Sequence, residues 1–456
     1  MTGAEPADPQ RRVKQQPGWY EEQMNATDEV VEICRDLLRI DTTNTGDPDT
    51  TVGERAAAEY VAAKLAEVGL EPQIRESRPG RTSVVARFEG ADPTRDALLV
   101  HGHLDVVPAD PDEWSVPPFA GEIKDGYLWG RGAIDMKDFD AMVLALVRQM
   151  RREGRKPPRD LVLAFLADEE AGSTYGALHL VEHHAELFEG CTEAIGEVGG
   201  FSVSVSADER LYLIETAEKG IDWLRLHARG RPGHGSMIND DNAVTAIAEA
   251  VARVGRHRFP IVLTPTVRAF LEHVAEVLHI DFDPDNPEAT IGKIGPIAMI
   301  IGATLRNTAN PTRLAAGYKD NVIPGKASAT VDCRTLPGQS RIFEDQLRAV
   351  IGPDIEIEYV VRQPALETTF DGALVEAMRA ALRAEDPGAR PVPYMLSGGT
   401  DAKQFARLGI RCFGFSPLRL PADLNFDALF HGIDERVPLE GLEFGVRVLD
   451  RFLADC

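Results

Sequence analysis

The chain reads as an α/β protein, a mixed sheet with helices on both faces, interrupted by an inserted α+β unit. Two observations predict this. Short apolar runs of strand character alternate with amphipathic helical stretches from about residue 27 to 200 and again after about 367, and several of the runs stop abruptly on histidines or carboxylates. Between about 216 and 366 the rhythm changes to one of strands flanking helices, with no return to the earlier alternation. At 456 residues the chain exceeds what a single core usually supports. The expected division is a main α/β unit whose first part covers 1–215, an insertion over 216–366 and a second part of the main unit over 367–456.

Composition narrows the function classes. With 49 basic and 73 acidic residues the net charge is -24, which argues against nucleic acid or an anionic membrane as partner. Residues 1–23 are polar, with Pro6, Pro9 and Pro17 and no apolar leader core, and no run approaches the roughly 18 apolar residues of a membrane span. A cytoplasmic protein is expected. The five cysteines (Cys34, Cys191, Cys333, Cys412 and Cys456) are scattered, odd in number and without C-x-x-C spacing, so neither a disulfide framework nor a thiolate zinc site is expected.

In chain order, a helix is predicted from Thr27-Asp28, whose apolar stripe Val30, Val31, Ile33, Cys34, Leu37 and Leu38 follows a capping residue. A second helix covers about 52–68, stopped by Gly69. Strands follow at about 73–77, 83–88 and 97–101. The last runs into His101-Gly102-His103-Leu104-Asp105, where an unalternating apolar segment suits a strand covered on both faces. His103 and Asp105 share a face in an extended chain. A proline-rich loop with a hairpin turning at Asp125-Gly126 leads to Gly130-Arg131-Gly132-Ala133-Ile134-Asp135-Met136-Lys137-Asp138 and a helix over about 139–150. A strand at about 161–167 ends on Asp168-Glu169-Glu170; a helix at about 175–187 precedes a short strand ending on Glu197.

In the insertion, a strand at 222–229 leads into Pro232-Gly233-His234-Gly235-Ser236 and helices at about 242–254 and 267–278. Strands at about 326–333 and 355–361 flank a helix at about 341–350. The stretch 260–317 either shapes a substrate pocket or enlarges an interface. After it come a helix at 374–383, Ser397-Gly398-Gly399-Thr400-Asp401, a strand at 411–415, Phe430-His431-Gly432 and a last helix over about 439–453.

His103, Asp135, Glu169, Glu170, Glu197 and His431 all fall at the ends of elements. Two histidines with several carboxylates and no thiolate suit two divalent ions, zinc or a similar metal. A shared carboxylate would hold such a pair about 3.5 to 4 Å apart. Of the adjacent acids Glu169 and Glu170, one can bind metal while its neighbour accepts a proton from water.

In this order the motifs resemble the metallopeptidase family of aminoacylase, carboxypeptidase G, succinyl-diaminopimelate desuccinylase and acetylornithine deacetylase, over nearly the whole chain. The resemblance implies a zinc-peptidase-like catalytic domain and a ferredoxin-like dimerisation domain in a homodimer. It implies that His103 and Glu197 bind one metal, Glu170 and His431 the other, and Asp135 bridges. Zinc is the expected metal, with cobalt or manganese as substitutes. Glu169 is then the general base and Asp105 the partner that orients His103, with His101 in a packing or supporting role. His234 matches a histidine sent into the partner subunit's active site to stabilise an oxyanion; a turn histidine between glycines is the plain alternative. Asn321 and Arg334 resemble residues that grip a substrate carboxylate, and otherwise read as a loop amide and a surface ion pair. Gly399 belongs to a loop near the substrate tail, or to a simple turn before a helix. The implied reaction is hydrolysis of an amide in a carboxylate-bearing substrate, an N-acyl amino acid or small peptide.

Two departures accompany the resemblance. Asp138 stands where glycine is common after Asp-Met-Lys, an acid favourable at a helix start. Glu197-Val198-Gly199-Gly200 keeps the carboxylate but matches its neighbours loosely. Two other readings compete: a metal-binding scaffold without catalysis, and a zinc site at His179-Leu180-Val181-Glu182-His183, whose spacing is that of an inverted zincin but which a solvated helix face explains more simply.

Overall fold

The computed structural model describes residues 25–206, 208–294 and 297–456. The polar stretch 1–23, read above as lacking a leader, lies outside the described residues. The main sheet runs, edge to edge, through Gln73–Arg78, Arg81–Phe88, Leu161–Leu166, Ala97–His103, Cys191–Gly196, Arg411–Gly414, Arg210–Glu218 and Leu366–Glu367. Ala389–Leu396 and Phe201–Ser204 also pair with Arg210–Glu218. The sheet is mixed. Ala97–His103 is parallel to both neighbours, Leu161–Leu166 and Cys191–Gly196, so three adjacent strands deliver their carboxyl ends to one edge.

The expected two-sided burial of the central strand is observed. All of Ala97–His103 is buried. Leu98 and Val100 join the core beneath helices Ala26–Arg39, Lys137–Arg152 and Leu439–Asp455, whereas Ala97 and Leu99 join a second core with Leu180, Phe188 and Phe405. Alternation puts His101 on the second face, where its ring packs 5.0 Å from that of Phe405. Burial pushes its pKa down to about 3, so it is a neutral packing residue.

Residues of the insertion form a four-stranded antiparallel sheet in the order Thr308–Ala316, Lys326–Thr335, Gly220–Arg229, Glu356–Gln363. Helices Ala243–Arg256 and Ser340–Ile351 pack together beside it around Leu224, Leu226, Val331, Phe343 and Leu347. Asn242 caps the first of these helices through the Val244 N–H at 2.9 Å. Helix Pro265–Leu278 behaves differently. It packs on Ala389–Leu396, and its Val267, Phe270, Leu271 and Val274 belong to the main core. Part of the 260–317 stretch therefore braces the main sheet.

Local chemistry accounts for two differences from expectation. The helix expected over 175–187 is broken: Ala177–His183 ends at His184, and a 3-10 turn, Ala185–Phe188, follows. Ala389–Leu396 was not anticipated because Pro391 and Pro393 interrupt its pattern; both are tolerated because this strand pairs on one side only. No helix among the described residues is long and apolar enough to cross a membrane, and all five cysteines are unpaired.

Candidate metal centre and active site

The strand ends bring the expected ligand set together. His103 Nε2 lies 3.1 Å from Asp135 Oδ1 and 3.5 Å from Glu197 Oε2. His431 Nε2 lies 3.2 Å from Asp135 Oδ2 and 3.1 Å from Glu170 Oε2. Asp135 thus turns one oxygen to each histidine. Two groups result, His103-Asp135-Glu197 and Asp135-Glu170-His431, each with donor atoms within 4.8 Å of one another. Imidazole nitrogens and carboxylate oxygens converging without thiolates fit a pair of divalent cations bridged by one carboxylate.

The electrostatics report the same concentration of charge. Burial disfavours a charge on His103, but Glu197, the nearby Asp105 carboxylate and the hydrogen bond with Asp135 raise its pKa well above the usual value. Hydrogen bonding to Asp135 and Glu170 raises that of His431 to about 10. Burial, then the neighbouring acids, lifts Glu197 to about 7 and raises Glu170. Glu169, at the same wall, is raised strongly by burial and next by Glu197. Carboxylates crowded this closely are the arrangement that cations relieve.

Asp105 orients its neighbours in a way the spacing alone did not reveal. His103 Nδ1 lies 3.0 Å from the main-chain oxygen of Asp105 and 3.6 Å from its carboxylate. An N–H at Nδ1 therefore donates to the backbone and leaves Nε2 facing the acids. The Asp105 carboxylate instead accepts the backbone N–H groups of Glu169 and Glu170, both at 3.1 Å, and the Asn44 amide at 2.8 Å. It positions the acid pair directly.

Further residues, not singled out from the sequence, complete this frame. Arg81 is buried and donates to Glu54, to Asn44 Oδ1 at 2.7 Å and to Asp168 Oδ1 at 2.6 Å. Asp168 sits in the left-handed region at φ 68, just before the acid pair. Across the site, Arg131 pairs with Glu435 at 2.5 Å and donates to the Gly432 carbonyl at 2.9 Å, while Glu435 accepts the Ile134 N–H at 2.8 Å. This clamp ties the Asp135 loop to the His431 loop. Asp138 stands in the first turn of Lys137–Arg152, as expected, but it is buried there, and desolvation drives its pKa well upward.

The substrate-binding expectations divide. Gly399 lines the cavity of about 650 Å3 that contains Asp135, Glu169, Glu170, Glu197 and His431. A Cβ there would lie 2.5 Å from Lys403 Cε, so a larger residue would have to displace the Lys403 side chain. His234, Asn321 and Arg334 are not among the cavity's lining residues. His234 is exposed, its Nδ1 2.8 Å from Ser236 Oγ, and it neighbours Asn321, whose carbonyl accepts the Gly235 N–H at 2.9 Å. Arg334 grips Asp332 at 2.7 and 3.1 Å. On Ala177–His183 the His179 and His183 rings stand 4.7 Å apart, but neither joins a metal-competent group among the described residues.

Fold and donor set together define an α/β protein with a candidate centre for two divalent cations at the carboxyl ends of parallel strands. The chain belongs to Peptidase family M20/M25/M40, whose sequence profile matches residues 99–455. The N-fatty-acyl-amino acid synthase/hydrolase PM20D1 of Xenopus tropicalis is 28% identical, over 92% of this chain and 84% of that protein. Aminoacylase-1 of Homo sapiens is also 28% identical, over 92% of this chain and 94% of its own length. Among solved structures, the M20 family metallo-carboxypeptidase Sso-CP2 from Sulfolobus solfataricus has a similar fold, with TM-score 0.72 at 18% identity, covering 94% of this chain and 99% of that one.

Proposed function

We propose that the chain is a dinuclear metallohydrolase that cleaves the amide bond of a carboxylate-bearing substrate, an N-acyl amino acid or a small peptide. The observation that carries this reading is the sharing of Asp135 between two histidine–carboxylate groups, with Glu169 beside them. Membership of a peptidase family and the similarity to aminoacylase-1 support hydrolysis over a non-catalytic scaffold.

His103 and Glu197 would hold one ion, Glu170 and His431 the other, and Asp135 both. Nitrogen and carboxylate donors favour zinc, with cobalt or manganese as substitutes. Bound there, the ions supply Lewis acidity that polarises the scissile carbonyl and acidifies water. Glu169 takes the proton from the attacking water and passes it to the departing amine. The backbone bonds from Glu169 and Glu170 to Asp105 keep the base and its neighbour facing opposite tasks. His234 of a partner subunit stabilises the oxyanion, which accounts for a histidine exposed on its own chain. Asn321 and Arg334 bind the substrate carboxylate, Arg334 exchanging Asp332 for it. The five unpaired cysteines suit a cytoplasmic location, and the role given to His234 requires a homodimer.

The test is turnover of N-acyl amino acids and dipeptides by chelator-treated protein before and after zinc, cobalt or manganese is restored. Metal-dependent release of the amine is expected. Two bound ions without turnover of any substrate would favour the scaffold instead.

A further inference from the structure

The wall of the cavity facing the candidate metal centre is apolar and aromatic. Its apolar lining is Val198, Phe201, Tyr394, Met395, Leu396 and Phe430, with Ser397 and Asn425 as uncharged polar neighbours. Phe201 meets the edge of Tyr394 at 6.0 Å between centroids and packs on Phe426 at 5.0 Å, and Phe426 meets Phe430 at 5.1 Å. These ring contacts hold the wall in shape. The Tyr394 hydroxyl is engaged by the Val198 carbonyl at 2.6 Å, so its polar atom is satisfied within the protein. Charge is equally one-sided. Asp135, Glu169, Glu170, Glu197 and Asp427 line the cavity, and no lysine or arginine does. With two ions held at Asp135, Glu170 and Glu197, the lining offers no lysine or arginine to receive the substrate's carboxylate.

We infer that this cavity takes the acyl half of the substrate, and that the acyl group is uncharged, apolar and larger than acetyl, with Phe201 and Phe430 setting its preference. The inference rests on the amide-hydrolase reading above and narrows its substrate class. The amino-acid half, with its carboxylate, projects out of the cavity. A charge at the far end of the acyl chain is disfavoured because it would lose hydration against Val198, Phe201 and Phe430.

The test uses the metal-loaded full chain and one fixed amine half, L-leucine, carrying acetyl, butanoyl, hexanoyl or 6-aminohexanoyl. The expected kcat/KM rises by about fourfold for each methylene from acetyl to hexanoyl, the ordinary gain for burying one CH2. It falls at least tenfold from hexanoyl to 6-aminohexanoyl, which adds only a charge at the chain end. Phe430→Ala, and independently the milder Phe201→Leu, should lower the hexanoyl-to-acetyl ratio at least threefold. Binding of the same compounds to metal-loaded Glu169→Gln protein, read by calorimetry, should follow the same order. Hydrolysis of the acetyl compound with a flat chain-length series, or equal rates for the two six-carbon chains, would overturn the inference while leaving the amide-hydrolase reading intact. Failure to hydrolyse any compound would strike that reading itself; a flat calorimetric series would then overturn the inference as well.

Discussion

Arg81 is the residue on which the frame around the acid pair converges. Its guanidinium is buried against Glu54, Asn44 and Asp168, and through Asn44 it reaches the Asp105 carboxylate that holds Glu169 and Glu170. Arg81→Met would leave two carboxyls buried without their cation. It should destabilise the chain by about 3 kcal/mol or more in denaturant titrations, the usual cost of breaking a buried pair, and lower kcat more than it raises KM. A variant of unchanged stability would refute the role given to Arg81. Little of this was legible in the sequence, because Asn44, Glu54 and Arg81 lie far from the acid run and carry no motif, and Asp168 stood out only as the first member of Asp168-Glu169-Glu170. His103, Glu170 and Glu197 were legible because a polar residue at or just past the end of an apolar strand stands out, whereas Asp135 and His431 stand in loops and were legible through the motifs around them. Spacing correctly linked Asp105 to His103 but could not distinguish its carbonyl from its carboxylate.

At the scale of elements, parallel strands do most to assemble the centre. Leu161–Leu166, Ala97–His103 and Cys191–Gly196 are neighbours, so Glu169, Glu170, His103 and Glu197 arrive side by side without long connections. The centre's far side depends on two loops tied by Arg131 and Glu435. Elsewhere an ion pair secures a helix end. Asp386, which follows Ala373–Glu385, accepts from Arg210 at 2.6 and 2.8 Å and from the Tyr212 hydroxyl at 2.8 Å. The Arg210 hydrogen bond chiefly holds its pKa down to about 2, from an ordinary 3.8. A carboxyl depressed on folding stabilises above its unfolded value and loses that contribution as pH falls through the folded one. Asp386→Asn should therefore cost about 2 kcal/mol at pH 7. Denaturant titrations from pH 7 to pH 2 should show the two proteins converging at the acid end; a constant difference would contradict the assignment. Strong periodicity made most helices readable, whereas edge strands with prolines, such as Ala389–Leu396 and Thr308–Ala316, hid from any pattern search.

At the scale of the whole molecule, the strand that helps form the apolar wall is braced from behind by Pro265–Leu278, a helix supplied by the insertion. That packing depends on contacts about a hundred residues apart, which explains why the 260–317 stretch had no readable role. His234 raises the other whole-molecule question. It is exposed and outside the cavity lining of its own chain, so the reading given to it requires a second subunit. Glu169→Gln and His234→Ala proteins, each inactive alone, should regain activity when mixed under conditions of subunit exchange, because a hybrid dimer holds one intact site. Continued inactivity despite demonstrated exchange would restrict His234 to a structural turn.

The central claim is that a metal pair sharing Asp135 and a base at Glu169 together cleave an amide. The most direct measurement is made on metal-loaded Glu169→Gln protein, counting bound ions per chain and measuring turnover of an N-acyl amino acid that the unaltered protein hydrolyses. Two ions per chain with kcat lowered by about a hundredfold or more are predicted, the usual scale of a lost general base. Turnover that survives the substitution, or loss of the ions along with it, would contradict the account.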